Sequence, residues 1–433
     1  MTVASISGVR GIFNRDLLPA EVVAYAKNFS SITASPEILV GRDTRPTGEL
    51  VVRLIKGALL ESGKGVVDYG VLSTPALYRE SRLRERAALM ITASHNEPEW
   101  NGIKFVLNGR GVVQDEFDLI LKPRRKVSPG DWATAARPGP QPSYNRDLVA
   151  AAGEGSCDGV KVAVDLNGGA AVAHAPAILK ALGCDLTVIG GTPGIFSRTI
   201  DPTSDGLELL TRTVREKGCD VGFAFDCDGD RLVLVDSEGS KRTGDYMLTL
   251  AVRELLPELR DRVVVVSTDT SQAIDDVVSE MGGRTVRSKV GEANVISKMT
   301  EEKAEIGGEG SSGGLIDGRF NLCRDSMLAA ITIVKAIRRR GGRALGQAPS
   351  YHQVRLKAAL ERKNAGAAIR RLQKENPDAD MLDGIKISVS DRSWVLIRMS
   401  GTEDVVRVSA ESRSEEEAQQ LADSYMDRLR RLS

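Results

Sequence analysis

The order in which apolar and amphipathic segments follow one another constrains this fold most strongly. Short apolar runs rich in β-branched residues alternate with longer amphipathic segments along most of the chain. That alternation predicts βαβ units and parallel sheets. A helix is predicted at 49–62, with Pro46 near its start and Gly63 after its end. The strands predicted around it lie at 38–40, 65–68 and 87–92.

The same alternation continues, and then changes near the end of the chain. The predicted strands of the middle blocks are 160–165, 185–189, 221–226, 263–267 and 304–308, and the predicted helices are 175–182, 207–217 and 272–281. From about residue 351 the strands 385–389, 394–398 and 405–411 precede a polar helix at 415–429. We therefore predict three similar α/β domains with mixed, mostly parallel sheets around a central cleft, and a C-terminal α+β domain. A Pro- and Gly-rich stretch at 137–143 and the later changes of pattern place the domain limits at 1–142, 143–243, 244–345 and 346–433.

Length and charge narrow the function classes. The 433 residues are too many for one ordinary core. Lys+Arg and Asp+Glu are equal at 59 each, so no global field draws the chain to nucleic acid or to an anionic membrane. The five cysteines lack metal or redox spacing, and no apolar run reaches the roughly 20 residues of a membrane span. We expect a cytoplasmic protein without nucleic-acid or membrane partners, in which local clusters hold any anionic ligand.

Three polar loops each follow a predicted strand directly. They are TASHNE at 92–97, DCDGDR at 226–231 and GGEGSSGG at 307–314. Ligands of open α/β sheets bind beyond the carboxyl ends of the strands. All three loops therefore lie where a site is expected.

The loop DCDGDR has a carboxylate at every second position. Asp226, Asp228 and Asp230 can turn onto one hard cation, and magnesium suits a site with few protein oxygens. An EF-hand does not fit, because its sixth position is Arg231 instead of Gly and its twelfth is Ser237 instead of Glu. A solvated acidic turn remains the alternative, although three close carboxylates repel one another without a cation.

Ser94 is the candidate nucleophile. It follows a strand and stands next to His95, with Lys104 shortly after. The nucleophile-elbow glycine pattern of hydrolases is absent, so the choice lies between a phosphorylated serine and a serine that only caps a turn.

A fourth loop at 398–404 suits a phosphate monoester. Arg398, Ser400, Gly401 and Thr402, with Arg407 beyond them, offer guanidinium, hydroxyl and backbone N–H groups. A surface hairpin turn is the alternative. Judged singly, Arg10 and the Arg42, Asp43 and Arg45 of GRDTR are typical of surface pairs.

Together and in this order, these segments resemble the α-D-phosphohexomutases, the family of phosphoglucomutase, phosphomannomutase/phosphoglucomutase and phosphoglucosamine mutase. The resemblance spans the whole chain. The segments that carry it are SGVRG with Arg10, GRDTR, TASHN, NGIKF with Lys104, DCDGDR, Lys289-Val-Gly291, GGEGSSGG, Arg324-Asp325 and RMSGTED.

The resemblance implies an isomerase that interchanges hexose 1-phosphate and 6-phosphate through phospho-Ser94 and a bisphosphate intermediate. It implies one Mg²⁺ per chain on Asp226, Asp228, Asp230 and a phosphoserine oxygen, and hexose 1,6-bisphosphate as activator. Lys104, His95 and Arg10 are the expected catalytic groups beside Ser94. The expected substrate-binding residues are Arg231, Lys289, Glu309, Ser311, Arg398, Ser400, Gly401, Thr402 and Arg407. The fourth domain is expected to open and close.

Several residues depart from the family pattern. Glu97 and Met399 replace frequent prolines, and Cys227 replaces Gly or Pro between two metal carboxylates. GEGSSGG lacks the His that bacterial members carry, and Glu292 stands where some phosphomannomutases have His. The loop is most similar to that of archaeal-type members.

The sugar and the oligomer stay open at this point. Glucosamine, mannose and glucose phosphates are all candidate substrates, and the protein is expected to be a monomer or homodimer. A non-catalytic sugar-phosphate-binding regulator on the same scaffold is the alternative function, and a magnesium phosphatase is a third that leaves the fourth loop unexplained.

Overall fold

The computed structural model describes residues 2–122, 132–359, 362–399 and 405–432. Within these residues the strands form four sheets, and each sheet uses one successive stretch of the chain. We propose the limits 1–142, 143–243, 244–345 and 346–433 for the four domains.

The first sheet has a parallel centre and an antiparallel edge. Its order is β1-β2-β6-β5-β3-β4-β8, with β7 paired to β6. Its strands are β1 (Val3–Ser5), β2 (Gly8–Ile12), β3 (Glu37–Arg42), β4 (Gly65–Val71), β5 (Ala88–Ile91), β6 (Trp100–Leu107), β7 (Arg110–Gly111) and β8 (Ala136–Pro138). Strand β3 runs parallel to β4 and β5, whereas β6 runs antiparallel to β2 and β5.

The helices of this domain pack through apolar faces. They are α1 (Pro19–Ile32), α2 (Gly48–Glu61), α3 (Thr74–Arg84) and α4 (Gln114–Leu121). In α2, Val51, Val52, Ile55 and Leu59 are buried, and this spacing puts them on one face of a helix. The predicted helix 49–62 and the three predicted strands of this domain are confirmed.

The second and third domains repeat a smaller version of this plan. The second sheet has the order β10-β9-β11-β12-β13, and the third has the order β15-β14-β16-β17. Their strands are β9 (Lys161–Asp165), β10 (Asp185–Ile189), β11 (Val221–Phe225), β12 (Leu232–Asp236), β13 (Lys241–Arg242), β14 (Val263–Ser267), β15 (Arg284–Ser288), β16 (Ile306–Glu309) and β17 (Gly314–Asp317). Their helices are α5 (Tyr144–Ala152), α6 (Ala175–Ala181), α7 (Glu208–Lys217), α8 (Gly244–Leu255), α9 (Ala273–Glu280), α10 (Glu292–Glu302) and α11 (Ser326–Arg340).

The fourth sheet is antiparallel throughout, in the order β18-β21-β20-β19. Its strands are β18 (His352–Ala359), β19 (Ile385–Ser390), β20 (Ser393–Met399) and β21 (Val405–Ser412), and its helices are α12 (Arg362–Glu375) and α13 (Glu415–Leu432). The predicted architecture, three α/β domains with mixed sheets and a C-terminal α+β domain, is confirmed.

Two apolar clusters show how the domains are joined. One continuous cluster includes Leu39, Phe223, Val264 and Ile333, and so runs through the first three domains. The core of the fourth domain is a separate cluster. None of the described helices has the length and apolar character needed to cross a membrane.

All four site loops connect neighbouring antiparallel strands. They lie between β5 and β6, β11 and β12, β16 and β17, and β20 and β21. Of the last loop, residues 400–404 lie outside the described part of the chain. A polar loop after a strand was predicted, and the structure shows that in each case the chain turns back antiparallel beyond it.

Candidate active site

Ser94 lies in a buried and conformationally unusual position just beyond β5. Its φ is 51°, a left-handed value that non-glycine residues seldom adopt. Its N–H donates to Thr92 Oγ1 over 2.8 Å, and its Oγ donates to Asp226 Oδ2 over 3.1 Å. The loop therefore aims the hydroxyl of the first domain at a carboxylate of the second.

Arg45 holds the backbone of this loop. Its side chain is fully buried and pairs with Asp43, with Nε 3.0 Å from Oδ2. Its guanidinium donates to the carbonyl oxygens of Ser94 (2.7 Å), Asn96 (2.6 Å), Trp100 (2.9 Å) and Glu97. One cation thus fixes the course of the whole turn.

The prediction that Asp43 and Arg45 form a surface pair was wrong. Both follow β3, where the adjacent β5 brings the Ser94 loop against them, and the loop carbonyls replace water as partners of the guanidinium. Only Arg42 of this segment is partly exposed. The available signal was their position at the end of an apolar strand, where polar residues face a site.

Asp226, Asp228 and Asp230 converge as predicted. All three are buried, and one oxygen from each lies within 4.8 Å of the others. Gly229, with a φ of 69°, turns the loop back, and Asp226 Oδ1 accepts from the N–H groups of Asp230 (3.1 Å) and Arg231 (3.2 Å). The sequence spacing and the tight turn together place the carboxylates on one point.

The hydrogen bonds within this group leave two oxygens for a cation. Lys104 Nζ donates to Asp228 Oδ2 and Asp230 Oδ2, both over 2.7 Å, and Thr74 Oγ1 donates to the same Asp228 oxygen. Asp228 Oδ1 and Asp230 Oδ1 are buried without a hydrogen-bond partner among the described residues. Since buried carboxylate oxygens are normally satisfied, this donor set fits a hard divalent cation. The group can bind a metal.

Charge coupling within the group agrees with that reading. Burial, and then Asp230 and Asp228, raise the pKa of Asp226 well above its ordinary value. Burial opposes the charge of Lys104, but Asp228 and Asp230 outweigh it and raise the pKa of that ammonium. Lys104 therefore stays cationic at neutral pH and is suited to stabilise charge.

His95 and Arg10 flank the serine. The charge of Arg231, and then burial and Arg10, lower the pKa of His95 far below its ordinary value, so the imidazole is neutral. Its Nδ1 is buried without a hydrogen-bond partner among the described residues. Arg10 Nη1 donates to Asn96 Oδ1 (3.2 Å), and burial lowers the Arg10 pKa to about 10. These cations disfavour protonation of the imidazole, and an anion bound beside it would raise its pKa.

The third-domain loop brings Glu309 to the same cleft. Its carboxylate accepts from Gly291 N–H (2.7 Å) and from Arg324 Nη1 (3.3 Å), and burial raises its pKa. Ser311 is half-buried in the turn after Glu309. Arg324 also contacts Asp230. It therefore joins this loop to the loop at 226–231 that carries the three aspartates, named the metal loop below. The sequence marked Arg324 only as part of the resemblance.

The other predicted substrate-binding residues lie on segments of the second, third and fourth domains. Lys289 is exposed on the segment that leads to Gly291. Arg231 is 13% exposed and pairs with Asp201, with Nη1 3.3 Å from Oδ2. Arg398 on β20 faces Arg407 on β21, so two guanidinium groups lie at the base of the fourth loop. Ser400, Gly401 and Thr402 lie outside the described residues.

The fold and the site together define a class. A buried serine faces a carboxylate cluster suited to a divalent cation, inside four domains whose hairpin loops carry the polar residues. This arrangement is suited to phosphoryl transfer, in which a nucleophilic oxygen and a divalent cation act close together.

Comparisons with known proteins identify the family. Four domain models described as "Phosphoglucomutase/phosphomannomutase" match in order: alpha/beta/alpha domains I, II and III at residues 3–124, 142–239 and 243–351, and the C-terminal domain at 354–428. The chain belongs to the α-D-phosphohexomutase family, whose members are isomerases.

Curated relatives cover nearly the whole chain. A "Probable phosphoglucosamine mutase" of Methanopyrus kandleri is 33% identical and covers 98% of this chain and 97% of its own length. A "Phosphoglucomutase/phosphomannomutase" of Thermococcus kodakarensis is 31% identical, with 95% of each chain covered.

Solved structures share the fold. A phosphoglucomutase/phosphomannomutase family protein from Burkholderia thailandensis superposes with a TM-score of 0.86 at 23% identity, covering 99% of this chain and 98% of its own. An Aspergillus fumigatus N-acetylphosphoglucosamine mutase, solved with GlcNAc-6P and magnesium, gives a TM-score of 0.60 at 16% identity, with 92% and 83% covered.

Proposed function

We propose that this protein interconverts hexose 1-phosphates and 6-phosphates by way of a phosphoserine at Ser94. The observation that carries the proposal is the hydrogen bond from Ser94 Oγ to Asp226 in a buried group of three aspartates with two unpartnered oxygens. A serine that only caps a turn needs no such neighbours. A phosphoserine, with nearly two negative charges, needs a shared cation and donors.

Each half-reaction exchanges one phosphorus–oxygen bond. The bond from phosphorus to Ser94 Oγ breaks as a bond from phosphorus to the free hydroxyl of the sugar forms. The hydroxyl proton goes to a base, and His95, whose Nδ1 has no hydrogen-bond partner among the described residues, is the proposed acceptor once the phosphoryl charge offsets the cations around it. Lys104 and Arg10 are suited to stabilise the oxygens that gain charge. The product is a hexose bisphosphate and a free serine.

The second half-reaction is the reverse with the other end of the sugar. The bisphosphate turns within the cleft, and Ser94 Oγ takes the phosphoryl group that the substrate brought. Any bisphosphate that escapes leaves the serine unphosphorylated, so added hexose 1,6-bisphosphate acts as an activator. Release of the isomer completes a 1-phosphate to 6-phosphate interchange.

One Mg²⁺ per chain is the proposed cofactor. Asp226, Asp228 and Asp230 are placed to hold it, and phospho-Ser94 adds an oxygen. Bound there, it supplies positive charge that stabilises phosphoryl transfer. The magnesium in the Aspergillus relative supports this assignment.

The remaining predicted residues are assigned to the substrate. Glu309 and Ser311 hold sugar hydroxyls, with Arg231 and Lys289 beside them. The phosphate that is not reacting binds at the fourth-domain loop, through Arg398, Ser400, Gly401, Thr402 and Arg407. Because that phosphate contact serves either orientation of the sugar, one loop supports both half-reactions.

Glucosamine phosphate is the proposed preferred substrate, because relatives at about this level of identity carry that name most often. The Thermococcus kodakarensis relative keeps mannose and glucose phosphates as candidates. A buried serine beside two unpartnered carboxylate oxygens argues against a non-catalytic regulator, because a binder needs no phosphorylatable serine at a cation site.

The test is an isomerisation assay with matched proteins. Wild type, Ser94→Ala and a control with an equally buried but remote serine, Ser30→Ala, are each given Mg²⁺ and trace hexose 1,6-bisphosphate. Glucosamine, mannose and glucose 1-phosphates are compared by kcat/KM. We expect isomerisation by wild type and Ser30→Ala, highest with glucosamine, and none by Ser94→Ala. Isomerisation of none of the three by wild type contradicts the proposal.

A further inference from the structure

The side chain of Arg324 contacts three separate segments of the chain. Its Nη2 lies 2.8 Å from Asp230 Oδ2, its Nη1 3.3 Å from Glu309 Oε2, and its Nε 3.0 Å from Glu292 Oε2. Nη1 also donates to Ser312 Oγ over 3.2 Å. The guanidinium of Arg324 therefore contacts the metal loop, the loop at 307–314 that carries Glu309 (the Glu309 loop), and the start of α10.

The residues that follow Arg324 in the chain make contacts that fix its position. It directly precedes α11, whose first turn is capped by Asp325 accepting from Leu328 N–H over 3.0 Å. Ser326 Oγ donates to the carbonyl oxygen of Gly229, inside the metal loop. The largely buried helix α11 thus contacts the metal loop and anchors the chain two residues after Arg324.

Gly314 leaves the path for this side chain. A Cβ at Gly314 would lie 2.2 Å from Arg324 Cδ and 2.7 Å from its Cγ, and the nearest atoms to that Cβ all belong to Arg324. Any larger residue at 314 must displace the arginine. Arg324 can therefore occupy this position only because residue 314 is a glycine.

The hydrogen bonds of Asp230 show how Arg324 affects the metal loop. Asp230 Oδ2 accepts from both Lys104 and Arg324, which leaves Oδ1 as the oxygen free for a cation. Arg324 thereby selects the orientation of a metal ligand. The same guanidinium also holds Glu309, so a change at that carboxylate changes the hydrogen bonds that Arg324 offers to Asp230.

We propose that Arg324 is a positioning residue that couples the Glu309 loop to the metal loop, so that the state of the sugar site alters the affinity of the metal site. The sugar-binding part of this statement rests on the proposed function of Glu309. The coupling between the two loops does not. Arg324 acts here through Asp230 and Glu309, not on reacting atoms.

The test measures Mn²⁺ affinity by electron paramagnetic resonance on the unphosphorylated full-length protein, with no turnover. The variants are Arg324→Lys, Glu309→Gln and the double variant. The control is Arg319→Lys, which changes an arginine paired with Asp317 outside the cleft. We expect Arg324→Lys to weaken Mn²⁺ binding about tenfold, as loss of partners of metal ligands does, and Arg319→Lys to leave it unchanged.

The coupling is read from the double variant. Glu309→Gln is expected to weaken Mn²⁺ binding about threefold in the wild-type background, and not measurably in the background of Arg324→Lys. An equal effect in both backgrounds overturns the proposal, and so does unchanged affinity in Arg324→Lys.

Gly314→Ala gives a second route if Arg324→Lys does not fold. It moves the arginine without removing its charge, and we expect the same direction of change in Mn²⁺ affinity. Unchanged affinity in this variant contradicts the proposal. Failure of wild type to isomerise hexose phosphates refutes the proposed function, while the Mn²⁺ measurements still decide the coupling.

Discussion

The centre formed by Ser94 and the three aspartates is built differently from the fourth domain. The centre lies among three domains that share one continuous apolar cluster, and its charges are buried in paired sets. The fourth domain has its own core and meets the third domain through polar contacts. A shared core resists separation, whereas a polar interface can open and close again. We therefore expect the centre to be rigid and the fourth domain to move relative to the other three.

The polar interface between the third and fourth domains includes a group of contacts around Lys386 and Glu411. Lys386 Nζ donates to the carbonyl oxygen of Thr268 over 2.7 Å and lies 4.1 Å from the centre of the Trp394 ring. Glu411 Oε1 accepts from Trp394 Nε1 and from Gln272 N–H, both over 2.8 Å. Other polar contacts between the two domains include Arg355 with Asp245 (3.1 Å) and Arg413 with Asp276 (2.7 Å).

The largest effect is expected from the centre itself. Asp226→Asn removes a carboxylate that meets Ser94 Oγ, and we expect kcat to fall about a thousandfold. Asp185→Asn, at an exposed aspartate, is the control. Loss of Mn²⁺ binding with the loss of turnover assigns the effect to the metal site. Full turnover without metal binding contradicts the account.

The next prediction compares a substitution in the rigid centre, at Arg45, with one in the fourth domain, at Arg398. Arg45→Met leaves Asp43 buried and unpaired and frees the loop carbonyls, so we expect a loss of about 3–5 kcal/mol in the free energy of unfolding. Arg398→Met is expected to change stability by less than about 1 kcal/mol, because its ion pair is a loose one at 3.8 Å.

Kinetics complete this pair of predictions. Arg398→Met is expected to raise KM for hexose phosphate by at least tenfold, since a charge-assisted phosphate contact is lost. Urea unfolding and steady-state kinetics on both variants measure these effects. A strongly destabilised Arg398→Met with unchanged KM would reverse the contrast between the two regions.

A smaller effect concerns pH at the interface. Burial, and then the charge of Arg287, lower the pKa of Lys386 to about 7, although Glu411, Asp275 and Asp269 oppose the shift. Between that value and the ordinary one the unfolded chain binds the proton and the folded chain does not, so this group makes stability rise with pH above 7. In Lys386→Met we expect a smaller rise in the free energy of unfolding from pH 7 to pH 9 than in wild type. Equal rises in urea titrations of both proteins contradict the prediction.

The smallest effect is expected at Trp394. Trp394→Phe keeps a six-membered aromatic ring but removes the pyrrole ring and its hydrogen bond to Glu411, and we expect a loss of about 1–2 kcal/mol. The change should appear in unfolding of the fourth domain and leave Mn²⁺ affinity untouched. A weaker metal site in this variant is evidence that the two regions are not separable.

The polar loops could be predicted from the sequence because the residues that define each loop are neighbours in the chain. Asp226, Asp228 and Asp230 are neighbours in the chain, and the end of an apolar strand already places them. The alternating runs likewise predicted β3, β9, β11 and β14 near their observed limits.

The missed features depend on contacts between distant segments. Strand β6 carries Asn101 and Lys104 among its apolar residues, which masks its pattern, and it forms because β2 and β5 flank it. Helix α11 is buried on nearly every side and so has no polar face to mark its period. The contacts of Arg45 and Arg324 join residues up to 94 positions apart in the sequence. No local pattern carries that information.

The most direct test of the central claim follows one phosphoryl group. The protein is labelled by reaction with radioactive hexose 1,6-bisphosphate, and the phosphorylated residue is mapped by mass spectrometry. The labelled protein is then mixed with unlabelled hexose 6-phosphate and Mg²⁺ in a single turnover. We predict label on Ser94 and its transfer to the sugar as hexose bisphosphate. Label on another residue, or its release as inorganic phosphate, would contradict the account.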